Sequence, residues 1–398
     1  MKPPNFRVLG FLFSGISAGI KKDGKKDLGL IYSEVPAQVA GLFTTNTVKA
    51  APVQLGMKRI KKGLAQAVVV NSGNANACTG SQGLRDAELV SSWVGKRLGI
   101  DETLVFPSST GVIGAPLPIK KIEEVIPELI DQLSPGGWMS TVEAIMTTDT
   151  FPKMAMATGR IKGKTIKLCG MIKGAGMICP QMATMLSFLI TDANIQAPLL
   201  QQMLEKAAEE SYHRITIDGE MSTNDTVLLL ANGKGGHPIL TRMDRDAEVF
   251  QTMLLKVCRK LTESLVRDGE GATKFIEILV QGARNREDAK RAAYAIAHSP
   301  LVKTAFFGED ANWGRILCAL GHCGARMDPN RIDVFFDKAL IVKNGLGVDD
   351  RTEEKAIQIL KRKSFKVTVD LHQGKSQFSV LTTDLSIDYV KINASYRS

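Results

Sequence analysis

No stretch of the 398 residues approaches the roughly 18 consecutive apolar residues that a membrane-spanning helix needs, and there is neither an internal repeat nor a low-complexity tract. Histidine is scarce. None of the five, His213, His237, His298, His322 and His372, sits in H-E-x-x-H or beside a G-x-S-x-G turn, so spacing offers neither a zinc site nor a serine triad. The six cysteines, at 78, 169, 179, 258, 318 and 323, form no C-x-x-C pair and no even frame; dispersed in this way they point to reduced, mostly buried thiols and a cytoplasmic setting. Tyrosine is rare too, with five against fifteen Phe that fall mostly in apolar runs. The excess of basic over acidic residues, +10, is scattered through "KKDGKK", "KRIKKG" and "KRKSFK" with acids between. That pattern disfavours a nucleic-acid stripe and suits a basic surface meeting small anions. "NGKGGH" at 232–237 lacks the Walker spacing and reads as a hairpin turn.

What is present is a foldable chain. Apolar residues make up 44% and charged residues 23%, the balance of a globular protein long enough for two or three packed units. "RVLGFLFSGISAGIKK" has the outline of a short signal peptide, but its basic start is weak and it reads as a first β-strand. Further strands are expected in "FRVLGFLF", "LGLIYSE", "VAGLFTT", "AQAVVVNSG", "TVLLLAN" and "KFIEILVQGA". Apolar spacing predicts helices over about 82–98, 119–133 with Pro127 as a local disturbance, 197–211 and 244–267, and another in "NREDAKRAAYAIAHS" with an Asn N-cap. The tail from 331 is strand-rich, with "RIDVFFD", "FKVTVDLH" and "SQFSVLTT" flanking one helix at 351–362. The class is α+β with mainly antiparallel sheets.

"MIKGAGMICPQMATMLSFLITDA", at 171–193, raises a chemical question: a threonine, Thr184, stands where a glycine-rich loop turns into an apolar run. An internal threonine is a poor nucleophile. As the first residue of a chain it has its own α-amine as base, with a pKa of about 8. Cutting the Ala183–Thr184 bond by an N-to-O acyl shift and hydrolysis would create that state; Gly174 and Gly176 allow unusual backbone angles and Pro180 fixes the approach. On local residues alone, an N-cap or strand-entry role for Thr184 stands beside this reading. "FPSSTGVIGAPLP" at 106–118 reads as a Ser-Ser-Thr-Gly turn whose hydroxyls and glycine N–H could hold an oxyanion. "IMTTDTFPK" at 145–153 and "VRDGEGATK" at 266–274 are polar clusters of the kind that line binding sites, with solvated turns as the plain alternative.

These stretches, with "AGIKKDGKKDLGLI", "GLFTTNTVKAAPV", "NSGNANACTG", "KGAGMICPQMATML", "GEDANWGRI" and the closing "YVKINASYRS", closely resemble the ornithine acetyltransferase family along essentially the whole chain. The resemblance implies self-cleavage between Ala183 and Thr184 into an α chain (1–183) and a β chain (184–398), with Thr184 as nucleophile. It implies an oxyanion hole from Thr110 and Gly111, and substrate positions at Thr147, Lys173, Thr184, Glu270, Asn393 and the last residue. That residue is Ser398 here, where family members often end in threonine. Asp149 and Asn312 lie in matching motifs and are read as structural support.

The implied reaction is ping-pong transfer of acetyl from N2-acetylornithine to glutamate in arginine biosynthesis, through an acetyl-threonine ester. There is no metal and no resident cofactor, and acetyl-CoA stays open as a second donor. The implied fold is a four-layer α/β/β/α sandwich, like N-terminal nucleophile enzymes but differently connected, over about 1–280, with a smaller C-terminal α/β domain over about 281–398. The implied assembly is an α2β2 heterotetramer with no nucleic-acid or membrane partner. Two other readings share the residues: an autoprocessed N-terminal-threonine amidase or aminopeptidase that hands the acyl group to water, and a non-enzymatic basic binding protein.

Overall fold

In the computed structural model, which describes residues 6–179 and 185–395, the two runs "LGLIYSE" and "VAGLFTT" are one strand. β1 (Phe11–Ile16) pairs antiparallel with this 16-residue β2 (Leu28–Phe43), whose pairing to β3 (Leu64–Asn74) slips between Tyr32 and Ala37. Such an irregularity bends a strand and lets it serve both halves of a curled sheet. α1 (Ala51–Arg59) precedes β3, and α2 (Gly80–Leu98) leads to β4 (Val105–Val112), which pairs parallel with β3. Then come α3 (Ile119–Asp131), α4 (Trp138–Ile145), β5 (Lys153–Ile161), β6 (Lys164–Lys173), β7 (Leu186–Thr191), α5 (Ala197–Glu209), β8 (Thr226–Ala231) and α6 (Arg245–Arg267). α3 runs through Pro127 without breaking. The strand order is β4-β3-β2-β8-β7-β6-β5, with β1 on β2.

The alternation of side chains along these strands sets the layers. Ile31, Val68, Val70, Phe106 and Phe13 from β1–β4 meet Met171, Phe188 and Leu228 from β6–β8 in one inner core. The opposite face of the first half, Leu28, Leu30, Ala67 and Val69, packs on Val90 and Val94 of α2 and Ile122 and Ile126 of α3. The opposite face of the second half, Leu168, Ile172, Leu189 and Leu229, packs on Leu200 and Leu204 of α5 and Leu254, Val257 and Leu261 of α6. The order is therefore helix, sheet, sheet, helix. Each fully buried Leu, Ile or Val contributes about 1.5–3 kcal/mol, which makes these three cores the main stabilising term. α6 is the clearest case: the Asp244 side chain accepts the Ala247 N–H at 2.9 Å and starts a 23-residue amphipathic helix at the expected place.

A second sheet holds the C-terminal part. It is built from β9 (Phe275–Ala283), β10 (Asp333–Phe336), β11 (Ala339–Lys343), β12 (Leu346–Gly347), β13 (Ser364–Asp370) and β14 (Ser376–Thr383), in the order β12-β11-β10-β13-β9-β14. α7 (Arg286–His298), α8 (Pro300–Phe307), α9 (Trp313–Gly321) and α10 (Asp350–Leu360) cover it, and α11 (Ile387–Ser395) closes the described chain. β9 lies between β13 and β14, so the structural division falls ahead of Phe275; a boundary near 280 would cut a strand out of its sheet. Of the strand pairs, β3–β4, β7–β8 and β9–β13 are parallel and the remainder antiparallel, among the described residues. No described helix is long and apolar enough to cross a membrane. The six cysteines carry no disulfide.

Candidate active site

The rim where β4 and β6 end and β7 begins gathers most of the candidate residues. "SSTG" is not the expected turn: Ser108–Gly111 continue β4, because Ser72 and Gly73 of β3 stay in parallel register with Thr110 and Gly111. The bend is made by the register shift at Gly73/Asn74 and by Gly111 itself, at φ +130°. A Cβ at Gly111 would stand 2.4 Å from the Gly73 carbonyl carbon, so only glycine fits. Thr110 is thereby held at the strand end, with its side chain facing the last residue of β6, Lys173. The Lys173 ammonium donates to the Thr110 hydroxyl at 3.2 Å.

Lys173 is 5% exposed, and burial lowers its pKa, opposed by the nearby Asp149 carboxylate. Asp149 is itself sealed from solvent. Burial works against its ionisation, but Lys173, Lys153 and the Gly174 N–H outweigh it and hold the carboxyl below the ordinary aspartate range. Its Oδ1 accepts from the Lys153 ammonium at 2.5 Å and the Gly174 N–H at 2.8 Å, and its Oδ2 accepts the Thr147 N–H at 2.9 Å. Lys153 also ion-pairs with Asp268, which accepts the Thr150 hydroxyl and, at 3.0 Å, its N–H. Two cations and two anions thus form one buried, compensated cluster.

The opposite wall comes from the turn after α6. The Glu270 N–H donates to the Ala175 carbonyl at 2.8 Å, and the Glu270 Oε2 accepts from the Asn393 amide of α11 at 2.9 Å. Gly176 lies against that carboxylate: a Cβ there would sit 2.3 Å from Glu270 Oε2. Asn224, just before β8, donates its amide to the Ala75 carbonyl at 2.7 Å and the Ser109 carbonyl at 2.8 Å, tying the start of β8 to the ends of β3 and β4.

Thr110, Gly111, Thr147, Lys173, Glu270 and Asn393, which lie far apart in sequence, line one cavity, joined by Thr148, Met177, Ser222 and Asn224. Ala183, Thr184 and Ser398 lie outside the described residues, as does Pro180. The residues on either side of that segment are described: Lys173 pairs with Leu186, so the cavity wall and the strand that follows Thr184 are neighbours. Asn312 is not in this group; it stands ahead of α9 and its amide donates to Asp310 at 3.1 Å. The cavity offers a buried cation beside a hydroxyl, a glycine N–H at a strand end, and a carboxylate on the facing wall. Such a set suits a zwitterionic amino-acid derivative with a carbonyl to be polarised. Sequence reading singled out none of Lys153, Asp268, Ser222 or Asn224. The first two stand inside the polar clusters "IMTTDTFPK" and "VRDGEGATK", so composition marked their loops without marking them.

Comparison with known proteins places these residues in context. The family model described as the ArgJ family matches residues 12–398. The arginine biosynthesis bifunctional protein ArgJ of Geobacter sulfurreducens is 50% identical over 391 residues, covering 98% of this chain and all of the relative. Its namesake in Syntrophotalea carbinolica is 50% identical over 394 residues, with 98% and 100% covered. Among solved structures, arginine biosynthesis bifunctional protein ArgJ from Bacillus halodurans is similar at 40% identity and a TM-score of 0.50; the match covers 52% of this chain and 98% of that one.

Proposed function

The chain belongs to the ArgJ family, and from that premise we propose that it carries acetyl from N2-acetylornithine to glutamate through an ester on Thr184. It is an acyltransferase of arginine biosynthesis. The precursor cuts itself between Ala183 and Thr184, and the 1–183 and 184–398 chains stay together in an α2β2 heterotetramer in the cytoplasm. The Thr184 Oγ attacks the acetyl carbonyl while its proton passes to its own α-amine. The Thr110 hydroxyl and the Gly111 N–H hold the oxyanion, an arrangement in which each donor is worth roughly 10²–10³ in rate. Protonated at its α-nitrogen, ornithine leaves, and the amine of glutamate then attacks the ester. Lys173 favours the neutral form of the Thr184 amine and meets a substrate carboxylate, Glu270 meets the cationic side chain of the donor, and Thr147, Asn393 and Ser398 complete the substrate contacts. No resident cofactor takes part, and acetyl-CoA serves as a second donor to the same threonine.

The convergence of Thr110, Gly111, Thr147, Lys173, Glu270 and Asn393 on one cavity is the observation that supports this reading. Its test is a product assay with acetylornithine, and in parallel acetyl-CoA, each with and without glutamate. With glutamate present, acetylglutamate is the expected main product from either donor and free acetate a minor one. Acetate as the main product despite glutamate would instead fit the amidase. Acetylglutamate from acetylornithine alone would remove acetyl-CoA from the proposal and leave the rest.

A further inference from the structure

Among the described residues that line the cavity, Ile113 and Met177 are the two with apolar side chains; the others bring hydroxyls, amides, a carboxylate, an ammonium or a glycine. The two belong to different walls. Ile113 directly follows β4 and stands two positions beyond Gly111, on the wall that carries the Thr110 hydroxyl and the Gly111 N–H. The chain is pinned on both sides of it: the Val112 carbonyl accepts the Ala75 N–H at 2.9 Å, and the Gly114 N–H donates to the Ala77 carbonyl at 2.9 Å. Met177 follows Gly176, the residue set against the Glu270 carboxylate, and Asp218 accepts its N–H at 2.6 Å. One apolar contact is thus held beside the candidate oxyanion donors and the other beside the carboxylate wall.

What lies behind Ile113 leaves it no room to retreat. Half-buried itself, it packs with Phe43 on a small closed cluster of Ala50, Val53, Ala75 and Ala77, all of them buried. The backbone of that cluster is tied from several directions: the Ala50 N–H donates to the Thr223 carbonyl at 2.9 Å, the Ala51 N–H to the Asn76 carbonyl at 3.0 Å, and the Ala75 carbonyl accepts the Asn224 amide at 2.7 Å. A close-packed interior of this kind takes an added carbon only by moving its neighbours. The residue types differ in stiffness as well. Isoleucine is branched at Cβ and holds one χ1 setting, so Ile113 makes a fixed stop. Methionine is unbranched and adaptable, so Met177 can follow a chain of methylenes that bends.

The chemistry of an acyl donor says what such a stop does. With the carbonyl oxygen of the donor on the Thr110 hydroxyl and the Gly111 N–H, the alkyl carbon attached to that carbonyl needs an apolar surface, and the apolar side chain on the same wall is Ile113. We propose that Ile113 sets the length of the acyl group: it receives the methyl of an acetyl group and excludes propionyl and longer chains. Met177 has the other task, lying along the methylenes of the donor amino acid whose ammonium meets Glu270. A single methylene in a fitted apolar pocket discriminates by about 10–200-fold, and that is the range open to this device. The inference rests on the acetyl-transfer reading and deepens it by naming what selects the acyl group.

The test compares the N2-acetyl, N2-propionyl and N2-butyryl forms of ornithine as donors to glutamate, with the acylglutamate products measured by mass spectrometry for the full-length wild type, Ile113→Ala, Ile113→Val and Met177→Ala. The readout is the ratio of kcat/KM between acyl lengths within one preparation, which a smaller folded fraction does not move. Wild type is expected to favour acetyl over propionyl at least about 10-fold, and Ile113→Ala, which vacates the space beyond Cβ, to narrow that preference about 10-fold or more and to accept butyryl. Met177→Ala is expected to keep the wild-type ratio while raising KM for every ornithine donor. Thermal melting reports on folding; where Ile113→Ala does not fold, Ile113→Val decides, with a smaller shift toward propionyl expected. An unchanged ratio in a folded Ile113 variant, equal use of acetyl and propionyl by wild type, or a ratio relaxed by Met177→Ala as much as by Ile113→Ala would overturn the proposal. Wild type that transfers no acyl group of any length to glutamate removes the acetyl-transfer reading itself, and is told apart because it yields no ratio.

Discussion

Replacing Thr184 by alanine leaves a single polypeptide of 43.2 kDa that transfers no acetyl group. Both losses have one origin. In the proposed reaction the hydroxyl is the attacking group in the N-to-O shift that exposes the amine, and then the attacking group on the acetyl carbonyl. Without it there is no ester to hydrolyse and no base at the head of a new chain. Thr184→Ser restores a hydroxyl and is expected to cut and to transfer, which separates the chemistry from packing of the γ-methyl. The check is a denaturing gel and a glutamate-dependent assay on the same preparation. Two fragments from the alanine variant would show that another group opens the bond.

Asp149→Ala is expected to damage both stability and activity, although Asp149 needs no contact with substrate. The carboxylate is the one group that links the Lys153 and Gly174 donors to the Thr147 amide, and it offsets the charge of Lys173. Its removal takes from the buried Lys153 and Lys173 ammonium groups the counter-ion they share and leaves two backbone N–H groups without their acceptor. Breaking a buried pair in this way costs about 3–5 kcal/mol. The loss has a definite pH sign. Because the folded pKa of Asp149 lies below that of a free aspartate, near 4, its stabilisation is complete at neutral pH and fades as pH falls through the folded value. Melting curves of wild type and variant should therefore stand well apart at pH 7 and draw together in acid. Acetyl transfer should fall at least about 100-fold, since Lys173 and Thr147 lose their placement together, a loss on the scale of a misplaced catalytic group. A variant that melts with the wild type at pH 7 would show the cluster to be unimportant.

The contrast between Lys173 and Asp149 shows what the sequence could say. Short contiguous stretches such as "MIKGAGMICPQMATML" and "SSTGVIG" could be singled out because their residue types and spacing are specific over a few positions. The long helices α2, α3, α5, α6 and α7 were legible because three or more turns of apolar spacing leave a clear stripe. The helices α1, α4, α8 and α9, of eight or nine residues each, span too few turns to show one. The strand nature of Ser108–Gly111 was hidden because polar residues and a glycine mimic a turn, and only the parallel register with β3 reveals a strand. The ion cluster was out of reach for another reason: Asp149 and Asp268 meet at Lys153 across more than a hundred residues, and no local pattern encodes that contact.

The most direct measurement is the intact mass, with N-terminal sequencing, of wild-type protein purified while active in acetyl transfer. Two co-purifying chains are expected, the second beginning Thr184-Met185-Leu186. A single uncut chain with full transfer activity would contradict the central claim that a threonine freed at its own nitrogen does the chemistry.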